Sequence, residues 1–191
     1  RYLALCDTNG FYGVVNFVTR CREEGLVPLV GTRLHPPSFD GLLIARDMKG
    51  YAQISSLVSG VHLDRGRNGR GGTGDGGSGS GRECRPGPPV FNLKDRILRL
   101  PRRRFVVITR DRDILERGGE GVYAEINVLR PNYVQDYARA KKLGAPPVFI
   151  PPVYFLKPEH HRLHRLLRAI HLNKKLDALE PGEAQGPYAC W

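Results

Sequence analysis

Leu3-Ala4-Leu5-Cys6-Asp7-Thr8-Asn9-Gly10-Phe11-Tyr12-Gly13 passes from a buried strand through a turn towards a helix. Residues 2–6 are a short apolar run, and Asp7 and Gly10 supply the turn chemistry that ends it. Beyond the turn, Phe11, Val14, Val15, Phe17, Val18 and Cys21 recur at helical spacing until Glu23-Glu24-Gly25 closes the segment.

The same alternation continues outward. Leu26–Val30 reads as a second strand, stopped by Gly31, and Gly41–Ala45 as a third. An amphipathic helix follows, carrying Tyr51, Ile54, Leu57, Val58 and Val61. Residues 65–89 are dominated by Arg, Gly, Ser, Thr, Asn and Pro; nothing there can bury a core face, so the stretch reads as a flexible linker or loop. Order resumes with a helix over Leu93–Leu98, the strand Phe105–Thr109, and a helix from about Asp111 to Arg117. The strand Val122–Val128, a helix over Tyr133–Leu143, the strand Val148–Ile150 and a long helix from Pro158 to about Leu176 complete the pattern. Strands alternating with helices at these lengths predict a parallel α/β arrangement, an open sheet or a barrel.

The 191 residues suit one domain, and 40% hydrophobic residues allow a packed core. No run of about 18 apolar residues could span a bilayer. A signal peptide is also lacking at the start, so a cytoplasmic location with no membrane partner is expected. Cys6, Cys21, Cys84 and Cys190 are scattered without a C-x-x-C pair and read as reduced thiols. The chain starts inside an apolar run without Met and reads as an excerpt of a longer protein. Its net charge of +11 is local: residues 66–104 hold ten basic and three acidic residues, residues 157–175 six and one, and the remainder is close to neutral.

Four features invite a chemical reading. Gly69-Arg70-Gly71-Gly72-Thr73-Gly74 fits G-x-G-x-x-G, but that motif needs a strand before it and a helix after it, and low-complexity sequence flanks it here. Asp111-x-Asp113 could hold a metal ion, yet Asp at a helix start is first of all a cap. His160 and His164 share a helix face, with His161 and His171 nearby, but the interleaved Arg162, Arg165 and Arg168 would repel a cation, which favours a solvated basic face. Arg99, Arg102, Arg103 and Arg104 form a dense patch suited to phosphates and are the candidate nucleic-acid-binding residues. No Walker A loop, G-x-S-x-G elbow or kinase signature is present.

Taken in order, several stretches resemble the PHP (polymerase and histidinol phosphatase) domain of bacterial C-family DNA polymerases, the DNA polymerase III alpha class. The opening segment is similar to that family's LALTDHGNLYG turn, and Glu24-Gly25-Leu26-Val27-Pro28-Leu29-Val30-Gly31 to its AGIKPIIG. Gly41-Leu42-Leu43-Ile44-Ala45 with Gly50-Tyr51, Val122-Tyr123-Ala124-Glu125-Ile126 and Leu156-Lys157-Pro158-Glu159 resemble its later steps. The resemblance covers most of the chain except residues 65–90. It implies a distorted (βα)7-type barrel, incomplete in an excerpt because the family's first H-x-H strand would precede Arg1.

Metal-binding members of that family hold up to three ions with His, Asp and Glu at strand ends. Carried over by position, those ligands fall on Thr8, Arg33, Pro152 and Tyr154 and near Leu129, and Asp7 alone keeps a ligand type. The resemblance therefore implies a domain with no catalytic residues, metal ligands or cofactor of its own, most similar to the error-prone branch. Its parent would be a DNA-directed DNA polymerase needing Mg²⁺, with DNA, other polymerase domains and replication or repair subunits as partners. The expected segments are 1–64 and 91–176 as two parts of the PHP-like domain, 65–90 as an insertion and 177–191 as the start of a linker. Two alternatives are a free-standing metal-dependent phosphoesterase of the same superfamily and a basic nucleic-acid-binding module.

Overall fold

The computed structural model describes residues 1–35, 39–68, 92–151 and 153–189. Six strands form one mixed sheet in the order β1-β2-β3-β4-β5-β6, curled into a half-barrel. They are β1 (Tyr2–Thr8), β2 (Val27–Leu34), β3 (Gly41–Ala45), β4 (Phe105–Thr109), β5 (Val122–Ile126) and β6 (Pro147–Phe149). The helices are α1 (Val14–Glu23), α2 (Met48–Asn68), α3 (Leu93–Arg99), α4 (Arg112–Arg117), α5 (Tyr133–Lys142) and α6 (His161–Leu172). Among the described residues no helix is long and apolar enough to cross a membrane.

The expected all-parallel arrangement is corrected at the centre of the sheet. β1 and β2 are parallel, as are β4, β5 and β6, but β3 runs antiparallel to both β2 and β4. The reason lies in the connection: only residues 35–40 separate β2 from β3, enough to reverse the chain and too few for the crossover a parallel neighbour needs. Helical connections survive where the sequence leaves room for them, α1 between β1 and β2, α4 between β4 and β5, and α5 between β5 and β6.

Side-chain alternation gives the sheet two different faces. Leu34, Leu43, Phe105, Val107, Val122, Ala124 and Ile126 point to the helix layer and join Ile54, Leu57, Val58 and Val61 of α2 in the main core. These four α2 residues recur at the predicted helical spacing. Residues of the opposite parity in register, Arg33, Leu42, Ile108 and Tyr123, face the concave side.

Several element ends differ from the sequence expectation for local reasons. β5 stops at Ile126 because Asn127 turns the chain: its side chain accepts from Leu129 N–H at 3.0 Å and its carbonyl from Arg130 N–H at 3.1 Å. β2 runs on to Leu34, paired with β3 beyond Gly31. α2 continues to Asn68, past residue 64, and the G-x-G-x-x-G stretch lies outside the described residues. The last long helix is α6 alone, closed by Asn173 in the left-handed conformation. Cys6 and Cys21 are free thiols; Cys84 and Cys190 lie outside the described residues.

α2 starts against the backbone leading into β4. Gly50 is the contact point: a Cβ there would collide with the carbonyl of Arg104, while its N–H donates to Asp47 Oδ1 at 2.7 Å. Gly50→Ala is expected to destabilise the fold by about 1–3 kcal/mol, read as a lower midpoint in chemical denaturation with an unchanged slope.

Candidate functional site

The C-terminal ends of β1, β2, β4 and β5 open into a cleft of about 1070 Å³, and α6 with the segment after it lines the opposite side. At its floor lies a four-membered charge cluster. Arg33, near the end of β2, grips Glu125 of β5 with two parallel contacts, Nη1–Oε1 at 2.9 Å and Nη2–Oε2 at 3.1 Å. The same guanidinium contacts Asp40 Oδ1 through Nη2 at 2.9 Å. Arg110 meets the other oxygen of Asp40 at 3.1 Å and lies 3.9 Å from Glu125 Oε2. Glu125 is only 2% exposed, so its charge depends on these partners. Burial pulls the Arg33 guanidinium down, but the hydrogen bonds and charges of Glu125 and Asp40 outweigh it and hold it above its ordinary value.

Turn residues around the cluster are locked by hydrogen bonds. Asn9, in the left-handed region at φ 51°, donates its N–H to Arg33 O at 2.8 Å and accepts His35 N–H on Oδ1 at 2.9 Å. A ring nitrogen of His62 in α2 lies 2.7 Å from the Asn9 carbonyl. Buried Thr32 donates to Asp7 O at 2.9 Å, and buried Thr109 to Asp40 O at 2.7 Å. His35 Nδ1 lies 3.2 Å from Asp40, and its Nε2 accepts from Arg33 Nε at 3.1 Å, a pairing that requires a neutral ring. Burial holds that ring below its usual pKa; Asp40 opposes the shift and Arg33 reinforces it. Burial, helped by Asp7, pushes the Cys6 thiol up to about 11, so it is not a thiolate nucleophile at neutral pH.

The positions that the resemblance assigns to metal ligands can now be placed. Thr8, Arg33, Leu129 and Tyr154 all line this one cleft; Pro152 lies outside the described residues. Asp7 accepts Gly13 N–H on Oδ2 at 2.9 Å and thereby organises the entry to α1. The residues present do not fit a divalent ion. Two carboxylates that could have neutralised one are held by Arg33 and Arg110, and no group of three or more His, Cys, Asp or Glu among the described residues is placed to bind metal. Arg130 and Arg168 add further positive charge to the lining, which favours an anion over a cation.

Other predicted residues separate cleanly. Asp111 Oδ1 caps α4 through Asp113 N–H and Ile114 N–H, and Lys94 bridges the two carboxylates at 2.6 and 3.1 Å, so this pair serves capping. Arg102–Arg104 form a 3-10 turn at the start of β4, away from the cleft end of that strand. Arg99 and Arg103 are exposed, and Arg104 pairs with Asp47 at 2.6 Å. Arg102 is half-buried, with burial lowering its pKa and Nη1 enclosed without a hydrogen-bond partner among the described residues.

The basic face of α6 is corrected: it is not a fully solvated one. Arg165 donates to Leu176 O at 3.3 Å, Arg168 to Glu183 O at 2.7 Å, and His164 Nε2 accepts Gln185 N–H at 3.1 Å. His164, Arg168 and His171 line the cleft, because a polar cavity takes the polar side of the helix. Burial, with Arg168 and His161 adding to it, lowers the pKa of His164.

No family model matches the chain. A stretch of it is similar to a DNA polymerase. Over 67 residues the chain is 33% identical to an error-prone DNA polymerase of Corynebacterium efficiens, a match covering 35% of this chain and 6% of that protein. The similarity ties part of the sequence to a polymerase and identifies no domain within it.

No local sequence pattern assigns a site role to Glu125, Asp40, Arg110, His35 or His62. The one signal was Glu125 itself, a carboxylate inside the apolar strand Val122–Ile126. Arg33→Met is expected to cost about 3–5 kcal/mol by leaving Glu125 buried with only the 3.9 Å contact to Arg110. Arg33→Met/Glu125→Gln should recover most of that loss in the same urea titration. A second expectation concerns pH. His35 and His164 are held below the ordinary value of 6.5, so the unfolded chain takes up protons first. Their contribution is intact above about 6.5 and is lost as pH falls through it towards the lower folded values. His164→Gln should flatten that part of a stability–pH profile.

Proposed function

We propose that the chain is a PHP-type, metal-free scaffold segment of a DNA-directed DNA polymerase of the error-prone kind. The observation that carries this reading is convergence. Thr8, Arg33, Leu129 and Tyr154, far apart in sequence, were matched to ligand positions by resemblance alone, and they line one cleft at the strand ends. Arg33 there makes an ion pair with Glu125. In this reading the half-barrel is part of a PHP barrel, the guanidinium stands where ions would otherwise neutralise the carboxylates, and nothing activates water against a phosphoester. The match to an error-prone DNA polymerase supports the same parentage. Synthesis, with its Mg²⁺ and its contact with DNA, belongs to other parts of the parent chain.

The test is metal analysis of the purified chain after loading with Mn²⁺ or Zn²⁺ and dialysis, paired with a phosphodiester hydrolysis assay. Substoichiometric metal and turnover no higher than the blank are expected. Stoichiometric metal together with hydrolysis abolished by Asp7→Ala would instead establish the phosphoesterase alternative. Palm-domain aspartate motifs in the same reading frame are expected if the polymerase parentage is right.

A further inference from the structure

α6 is mounted with its apolar side outward. Leu163, Leu166, Leu167 and Ile170 follow the i, i+3, i+4, i+7 pattern of a buried helix face, yet they are 57%, 45%, 57% and 68% exposed. The opposite side is committed: Ala169 is buried, and Arg165, Arg168 and His164 bond to the backbone of Leu176, Glu183 and Gln185. The helix cannot roll its leucines inward without breaking those bonds and turning leucines towards a cleft lined by arginine and histidine. Contiguous exposed apolar patches rimmed by polar residues are often interaction sites on a protein surface.

Charge identifies the occupant. α6 contains no acidic residue, and its first turn carries Arg162 at the helix's positive end with no side-chain cap. Exposed Lys157, Arg162 and Lys175 have no carboxylate partner among the described residues. We infer that the α6 stripe is a docking surface for a protein helix whose own apolar i, i+3, i+4, i+7 face is flanked by glutamate or aspartate. The partner's leucine-type side chains would cover Leu163, Leu166, Leu167 and Ile170, and its carboxylates would lie against Arg162 and the lysines. A membrane is the less fitting occupant, because the stripe is only three turns long and carries no aromatic anchor. The inference goes beyond the scaffold reading and does not rest on it.

The test uses the 191-residue chain and a designed helical peptide of about 18 residues, with leucine at the four spaced positions and glutamate on both flanks. Titration calorimetry should show binding that weakens with salt. A peptide with lysine flanks should bind at least about tenfold more weakly. Leu167→Gln and Ile170→Gln should each weaken binding by a similar factor while leaving the thermal midpoint unchanged, since both side chains are already exposed. Three results would overturn the inference: affinity indifferent to flank charge or to these two substitutions; retention on phosphatidylserine vesicles without peptide binding; or a dimer of this chain that is lost in Leu167→Gln and excludes the peptide.

Discussion

The contact between Arg33 and Glu125 constrains the whole sheet. Their strands, β2 and β5, are three places apart, a separation of about 14 Å in a flat sheet. Side chains standing perpendicular to such a sheet would not meet in a two-pronged contact. Curling brings them together over Leu42 and Ile108, the in-register residues of the strands between, which are buried beneath. The ion pair therefore belongs to the concave architecture, and the apolar helix layer on the other face supplies the hydrophobic stabilisation. Two carboxylates converge on the same point, and both are satisfied by arginines of this chain.

That polar floor sets the orientation of everything above it. A helix lying over a cavity lined with charge lowers its free energy by turning its polar side in, provided the long side chains find acceptors. Arg165 and Arg168 find backbone carbonyls, and His164 accepts a backbone N–H, so the C-terminal segment is pinned to α6 by the groups that line the cleft. The apolar stripe is displayed as a consequence. Cleft and stripe are two sides of one helix, and the chemistry of the first dictates the exposure of the second.

Much of this was legible in the sequence, and what was not has separable physical causes. The α2 core residues, the Asp111 cap and every strand were visible because periodicity and capping are local. The antiparallel β3 breaks the alternation rule for a reason that is also local: the span between Leu34 and Gly41 is too short for a crossover. Asp40 and Arg110 gave no signal because their meaning depends on strand ends that only the fold brings together. The leucines of α6 show a limit of pattern reading. Amphipathic spacing reports that a helix has two unlike faces; which face turns inward depends on what lies beneath, and beneath α6 lies charge.

Neutralising buried carboxylates with an arginine of the chain, and not with a bound ion, determines what the fold depends on. A divalent ion supplies positive charge only while it is bound, so the carboxylates around it are satisfied in proportion to metal supply and lose that satisfaction when it leaves. A guanidinium is tied to the backbone, remains protonated, and presents its donors in a plane that matches a carboxylate edge. With Arg33 in place, Glu125 is neutralised in every folded molecule. The same guanidinium opposes a cation electrostatically, and Leu129 and Tyr154 along the rim offer it no strong donor. A carboxylate at position 33 alone would leave Glu125 and Asp40 facing a like charge, with Arg110 the guanidinium still paired to them. Arg33, Glu125, Asp40 and Arg110 are therefore coupled in the charge balance of the sheet's concave face.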